Sequence, residues 1–298
     1  MTAAEVRPAI EDRLAAAGLP PLPRTAWLEL DLDALVGNLA FLRRLAGDGS
    51  QVRPVVKADA YGHGAVPIAR ALEGAGADGL CVATFDEAVE LRDGGIRVPL
   101  LVLYPIPPAL AAGAARLGVA VAAGDGPGLV ALVQAASAID RDRPLALELE
   151  VETGLGRGGV TVADLPTTAR RIVGSPGVRL AGLWTHFQAI ENAATTTAQI
   201  ARFEEAVAAV VAAGIDLPPR HASASAGLLG DGVLALDGVR PGLAIYGIVP
   251  DELDPATIPA AVSDGLRPVM SLLARPVRVA DLPAGWGISY GPTFRTAR

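Results

Sequence analysis

VRPVVKADAYGHGAVPIARALEGAGADGLCVAT (residues 52–84) decides the fold. It opens with an apolar, β-branched run (52–57) and turns through a segment containing Tyr61, Gly62, His63 and Gly64. It then passes a helix-compatible stretch rich in Ala and Leu (64–76) and ends in a second apolar run (78–84). The order strand, helix, strand within about thirty residues is the unit that places two strands in parallel, with a helix covering one face.

Working outward, the same alternation recurs to residue 247. Further strand candidates are VPLLVLY (98–104), GVAVAAG (118–124), LALELEVE (145–152), RLAGLWTHF (179–187), RHASAS (220–225) and GVRPGLAIYG (238–247). Helices are expected over 85–93, 126–138, 161–173 and 197–213 as well as 64–76. Eight strand candidates with crossover helices within about 200 residues match a (β/α)8 TIM-type barrel. An open doubly wound sheet usually stops at five to seven strands. Barrels of this kind carry their chemistry at the carboxyl ends of the strands. Lys57, Thr84, Tyr104, Arg157, His186, Ser225 and Arg240 all fall there.

After residue 260 the texture changes to alternating patterning in PVMSLLARPVRV (268–279), followed by the turn residues DLPAG and then GISYGPTF (287–294). This reads as the beginning of a mainly β domain. Two or three strands cannot bury enough surface to stand alone, so the β domain is expected to be incomplete, lacking on the order of 100 residues. The expected layout is an N-terminal extension (1–23), a barrel (24–260) and a partial β domain (261–298).

Composition narrows the class. The chain has 298 residues and a net charge of −7, with an isoelectric point near 5.1. No Lys/Arg cluster of the kind that binds phosphate backbones is present, so no nucleic-acid partner is expected. The single cysteine, Cys81, excludes an internal disulfide framework and suits a reducing compartment. The most apolar stretch, 98–139, is interrupted by Pro105, Pro107, Pro108 and Arg116, and the N-terminus lacks the apolar run of a signal peptide. A cytoplasmic protein without a membrane segment is expected.

Individual residues suggest the chemistry. A lysine enclosed at a strand end loses hydration, which favours the neutral amine that attacks a carbonyl; the plain alternative for Lys57 is a solvated side chain just past the strand. Gly242 and its neighbours, with Ser225, suit a phosphate at the rim after the last two strands, though a glycine after a strand also serves simply as a turn. Arg240 needs an acceptor, either a ring nitrogen of pyridine type or a neighbouring carboxylate. Glu148, Glu150 and Glu152 alternate onto one face, so at least one should meet a cation such as Arg157. A metal held by them with His186 is a weaker reading, and no metal is expected. His186 suits stacking on an aromatic ring or proton donation, against the plain role of a satisfied core histidine, the reading also taken for His63 and His221.

RTAWLELDLDALVGNL (24–39), VVKADAYGHG (55–64), ETGLGRGG (152–159), THF (185–187), HASASA (221–226), VRPGLAIYG (239–247) and ISYGPTF (288–294) occur in the order and rough spacing of the alanine racemases. From about residue 24 to its end the chain resembles that pyridoxal-phosphate family. The resemblance implies a barrel that holds pyridoxal 5'-phosphate, a C-terminal β domain and a head-to-tail homodimer sharing its active sites. It implies that Lys57 attaches the cofactor and acts as one catalytic base. Tyr290 would be the opposite base, reaching in from the second subunit. Tyr61, Ser225 and the backbone at Gly242 and Leu243 would hold the phosphate, with Tyr246 nearby. His186 would pack by the ring, Arg240 would bond the pyridine nitrogen, and Arg157 would contact the cofactor phenolate side or the substrate carboxylate.

Racemisation through an external aldimine needs a proton removed on one face of Cα and delivered on the other, which a lysine and a tyrosine on opposite sides satisfy. The implied role is to supply D-alanine for the bacterial cell wall. Where the family commonly carries a carbamylated lysine, this chain has Glu150, whose carboxylate would mimic the carbamate and orient Arg157. Ala224 replaces an Asn before the phosphate-binding Ser, and the chain ends before the family's IGYADG segment. Three other readings stay open: racemisation of other or several small amino acids, a cofactor-binding barrel with little turnover, and a Schiff-base barrel without the cofactor.

Overall fold

The computed structural model describes residues 8–124, 126–230, 234–254, 258, 262 and 264–297. Ten strands lie along it: β1 (Ala26–Leu30), β2 (Gln51–Val52), β3 (Leu80–Val82), β4 (Leu100–Val102), β5 (Val119–Ala123), β6 (Leu145–Glu150), β7 (Val178–Trp184), β8 (Arg220–His221), β9 (Gly238–Val239) and β10 (Met270–Ala274). Strands β2 to β9 form one parallel sheet in the order β2-β9-β8-β7-β6-β5-β4-β3.

The two ends of that order meet. Val55, just past β2, bridges Cys81 of β3 in parallel. Val56 N–H donates to Cys81 O at 2.8 Å and Cys81 N–H to Pro54 O at 2.8 Å. The sheet is therefore closed, and the expected (β/α)8 barrel is the observed one.

Alternation along the short strands divides the apolar side chains into two sets. Leu80, Val82, Leu100 and Val102 join the large core under the helices, whereas Val55, Cys81 and Leu101 form a separate small cluster. Helices Leu32–Ala46, Ala65–Gly74, Phe85–Asp93, Gly126–Ala136, Leu165–Val173 and Ala193–Ala212 supply the outer layer. Fully buried Leu35, Leu39, Leu42, Ile68 and Leu72 anchor the first two, each stabilising by roughly 1.5–3 kcal/mol on burial.

Inside Leu32–Ala46 the buried Asn38 is satisfied entirely by backbone. Its Nδ2 donates to Ile245 O (3.1 Å) and Arg267 O (2.8 Å), and its Oδ1 accepts from Arg267 N–H (2.9 Å).

Several strands are shorter than their apolar runs suggest. RHASAS pairs only at Arg220–His221 and then enters a short helix, Ser225–Leu229. The run from 238 pairs only at Gly238–Val239 before a 3-10 turn, Leu243–Tyr246. These departures put Ser225 at the start of a short helix and Gly242 just before a 3-10 turn, both outside the paired strands and on the wall of one cavity.

By contact the chain divides into two units, Leu30–Val269 and a second made of Met1–Glu29 with Met270–Arg298. The second contains the β1-β10 ribbon and a small antiparallel bridge, Gly287 to Arg295. The boundary expected at residues 260 and 261 lies outside the described residues.

Candidate functional site

Lys57 is placed by an unusual turn. The four residues after it, Ala58, Asp59, Ala60 and Tyr61, all have φ between 52° and 54°, a left-handed conformation that costs an L-residue about 1–2 kcal/mol each. The surroundings hold it. Ala58 N–H donates to Glu87 Oε1 at 2.7 Å, Ala65 N–H to Asp59 Oδ1 at 2.6 Å and Ala60 N–H to Val56 O at 2.9 Å. Glu87 is itself fixed by the Ala83 and Thr84 amides (2.7 and 3.2 Å) as part of the capping box that starts helix Phe85–Asp93. Backbone strain stored against rigid neighbours is characteristic of functional positions.

The turn delivers Lys57 and Tyr61 to a cavity of about 290 Å³ at the carboxyl ends of the strands. Arg157, His186, Ser225 and Arg240 stand on its other walls. At one end Ser225 Oγ accepts from Gly242 N–H (2.9 Å) and Ala244 N–H (3.1 Å), which leaves the serine proton to donate. Leu243 begins the 3-10 turn, where an amide has no helical partner. A Cβ on Gly242 would lie 2.8 Å from Tyr61 Oη, so glycine there keeps the phenol in place. Burial raises the Tyr61 pKa and keeps its hydroxyl a donor. Donors from Tyr61, Ser225 and the Leu243 backbone together suit a phosphate.

The opposite wall is built on Arg240. Its Nη2 donates to Thr185 O (2.9 Å) and Ala222 O (3.1 Å), its Nη1 to His221 Nδ1, and the guanidinium lies over the Trp184 ring at 4.8 Å. Its Nε–H has no partner among the described residues. His221 Nε2 in turn donates to Glu148 Oε2 at 2.6 Å, and Arg53 Nη1 donates to Glu148 Oε1 at 2.9 Å.

Glu148 is held down to about 2 by His221 and Arg53 in spite of its burial. His221 is pushed down to about 3 by burial and by Arg240 and Arg53. His186 is likewise pushed down to about 3, by burial and then by Arg240, Arg157 and Lys57. Both rings are therefore neutral at physiological pH.

On a third side Arg157 Nη2 donates to Glu150 Oε1 at 3.1 Å and its guanidinium lies 6.0 Å from the centre of the Tyr104 ring. Glu152 caps the following loop instead, accepting from Gly154 N–H at 2.5 Å and Gly156 N–H at 2.9 Å. The three alternating carboxylates thus share no partner: Glu148 is held by His221 and Arg53, Glu150 by Arg157, and Glu152 by backbone amides. Among the described residues no group of three His, Cys, Asp or Glu is placed to hold a metal.

With this geometry in place, the comparisons with known proteins agree. Residues 30–250 match the family model for the alanine racemase N-terminal domain. The chain belongs to the alanine racemase family. The alanine racemase of Desulfovibrio desulfuricans is 37% identical over 299 residues, covering 92% of this chain and 72% of that protein. That of Salinispora arenicola is 38% identical over 283 residues, again covering 92% and 72%.

Among solved structures, alanine racemase from D-cycloserine-producing Streptomyces lavendulae superposes with a TM-score of 0.81 at 34% identity. That match covers 93% of this chain and 72% of that one. The Bacillus anthracis enzyme with bound L-Ala-P gives 0.80 at 30% identity, covering 93% and 71%.

Alanine racemases are isomerases, and most of the residues singled out in this chain converge on one cavity. Lys57, Tyr61, Arg157, His186, Ser225, Arg240, Gly242 and Leu243 all line it, as does Tyr104. Tyr246 stands behind Tyr61 instead: it is buried, its ring 5.2 Å from that of Tyr61 and its hydroxyl donating to Val55 O at 3.0 Å. Thr84 caps a helix rather than facing the cavity. Tyr290 lies in the second unit, fully exposed.

His221, read from sequence as an ordinary core histidine, is indeed buried and satisfied, but by the two charged groups that hold the cavity wall. Glu87 and Asp59 carried no sequence signal for the turn that they clamp. For the described residues, no helix is long and apolar enough to cross a membrane.

Proposed function

We propose that this chain interconverts L-alanine and D-alanine, using pyridoxal phosphate held in the cavity described above. The observation that carries this is the meeting of Lys57, the Tyr61, Ser225 and Gly242 end, and the Arg240 edge around one 290 Å³ space in a member of this family. The groups fit the cofactor's three handles. A primary amine suits its aldehyde, a cluster of uncharged donors its phosphate, and the unpartnered Nε–H of Arg240 its ring nitrogen. When bound, pyridoxal phosphate supplies the electron-withdrawing ring that acidifies the substrate Cα–H.

The chain's own residues do the rest. Arg157, pinned by Glu150, offers its guanidinium to the substrate carboxylate. Arg240 donates to the ring nitrogen and, remaining charged, keeps a proton off it. Lys57 Nζ takes or returns the Cα proton on one face. Tyr290, exposed on this chain, serves the opposite face when a second copy contributes it, so the active unit is a homodimer. His186, neutral, packs at the ring without adding charge. The L-Ala-P bound by the Bacillus anthracis relative supports an alanine-sized substrate.

The test uses the purified chain with added pyridoxal phosphate. Borohydride reduction should fix the cofactor to the peptide carrying Lys57, and Lys57→Ala should abolish the label. Solvent deuterium should enter Cα of both L- and D-alanine, and Tyr290→Phe should slow racemisation without reducing the label. Labelling without any exchange would reduce the chain to a cofactor binder. No label at all would sink the proposal.

A further inference from the structure

A line of charge crosses the interior of the barrel, and the proton transfers above do not use it. Arg53 follows β2 and Glu148 lies in β6, strands separated by three others in the sheet order, so their 2.9 Å ion pair must pass through the barrel interior. Glu148 then meets His221 of β8, and His221 meets Arg240 at the cavity. Arg53 and Glu148 also line a second cavity of about 300 Å³, with Gln51 and Arg179. The barrel is therefore threaded by ionised groups where its fold class normally stacks Val, Ile and Leu.

Such burial is not explained by stability. An apolar set of similar volume is often as stable as a buried ion pair, or more so. Arg53 even leaves its buried Nε without a partner among the described residues. The hydrogen-bond logic points elsewhere. A guanidinium only donates, so Nδ1 of His221 must present its lone pair to Arg240. The ring proton then sits on Nε2, where it needs an acceptor, and Glu148 Oε2 provides one at 2.6 Å. The β7 partner of Glu148 is Gly182, where a Cβ would come within 2.9 Å of the carboxyl carbon, so the strand leaves room for this side chain. The charged or titratable groups facing His221 are Glu148, Arg240, Arg53 and Asp237, the last itself paired with Arg220, and Trp184 stacks on its ring at 5.8 Å.

We infer that Glu148 and Arg53 are positioning residues for the cavity. The carboxylate, kept ionised by Arg53, holds His221 by its Nε2 proton so that Nδ1 fixes Arg240 with its Nε–H turned to the ligand ring. This rests on the reading that the cavity holds pyridoxal phosphate.

The experiment separates positioning from packing. In the double variant Arg53→Leu with Glu148→Leu, both members of the ion pair leave together; the apolar replacement offsets the acceptor lost to His221 Nε2–H, and the melting temperature should stay within a few degrees of that of the parent. The Kd for pyridoxal phosphate should nevertheless rise about tenfold, the worth of a hydrogen bond to a charged group. Arg53→Leu with Glu148→Gln restores an acceptor for Nε2–H without restoring charge, and should bring the Kd back to within a few-fold of the parent. Nitrogen-15 spectra of the unsubstituted protein should show His221 neutral and protonated on Nε2 through neutral pH.

A leucine pair that binds the cofactor as tightly as the parent overturns the inference. So does a parent His221 protonated on Nδ1 or on both nitrogens, a result that needs no variant to fold. If the parent binds no pyridoxal phosphate, the reading of the cavity fails first, an outcome distinct from equal binding by parent and variants.

Discussion

Gly242 and Glu150 carry the sharpest tests at the scale of single residues. Gly242→Ala places a methyl 2.8 Å from Tyr61 Oη, so the phenol must move away from the phosphate end. The expected outcome, read by equilibrium titration, is a Kd for pyridoxal phosphate about tenfold higher, the loss of one charge-assisted hydrogen bond. Glu150→Gln removes the charge that holds Arg157. Because Arg157 is 43% exposed, the change in stability should stay within about 1 kcal/mol. The KM for alanine should rise several-fold, and an unchanged KM would show that Glu150 does not orient the arginine. Lys57, Arg157 and Arg240 were legible in the sequence because each sits in a short motif at a strand end. The partnership of Glu148 with His221 was not, since it joins residues 73 positions apart and only the closed sheet brings them together.

Among the elements, the left-handed turn from Ala58 to Tyr61 is the one most dependent on its supports. Asp59→Ala removes the acceptor for Ala65 N–H at the start of helix Ala65–Gly74. Loss of such a cap costs about 1 kcal/mol. A lower urea midpoint together with weaker cofactor retention is expected; full retention would show that the turn holds without it. The existence of all eight barrel strands and five of the crossover helices was legible from apolar periodicity. Helix Phe85–Asp93 starts and ends where its pattern does, since Thr84 and Glu87 spell a capping box. Strand lengths were not legible, because apolar runs continue past the last paired residue into the turns that carry Ser225 and Gly242. Nor did any periodicity mark the left-handed turn, whose sequence, ADAY, contains no glycine.

For the whole molecule, acid should be destabilising well before the carboxylates titrate. His186 and His221 are both held near 3 in the fold, against about 6.5 in an open chain. Below that value the unfolded chain binds protons that the native barrel refuses. Stability is thus full above about pH 6.5 and falls as pH drops, by up to about 1.4 kcal/mol per pH unit for each ring. Glu148, held near 2, adds a further loss only below the ordinary carboxylate range. Urea unfolding of the apoprotein at pH 7.5, 6.0 and 5.0 should show a fall on the order of 2–4 kcal/mol. His186→Asn should remove about half of it, and a flat profile would refute this account. Barrels of this type usually keep the face that supplies sturdiness apart from the face that supplies reactivity. Here Arg53, beside the second cavity at the amino ends of the strands, where Gln51, Leu100 and Val119 begin β2, β4 and β5, is joined through Glu148 and His221 to Arg240 beside the cavity at their carboxyl ends. Engineers who fill the base with grease to gain heat tolerance would therefore be retuning the summit as well, and a screen for thermal survival alone would not notice.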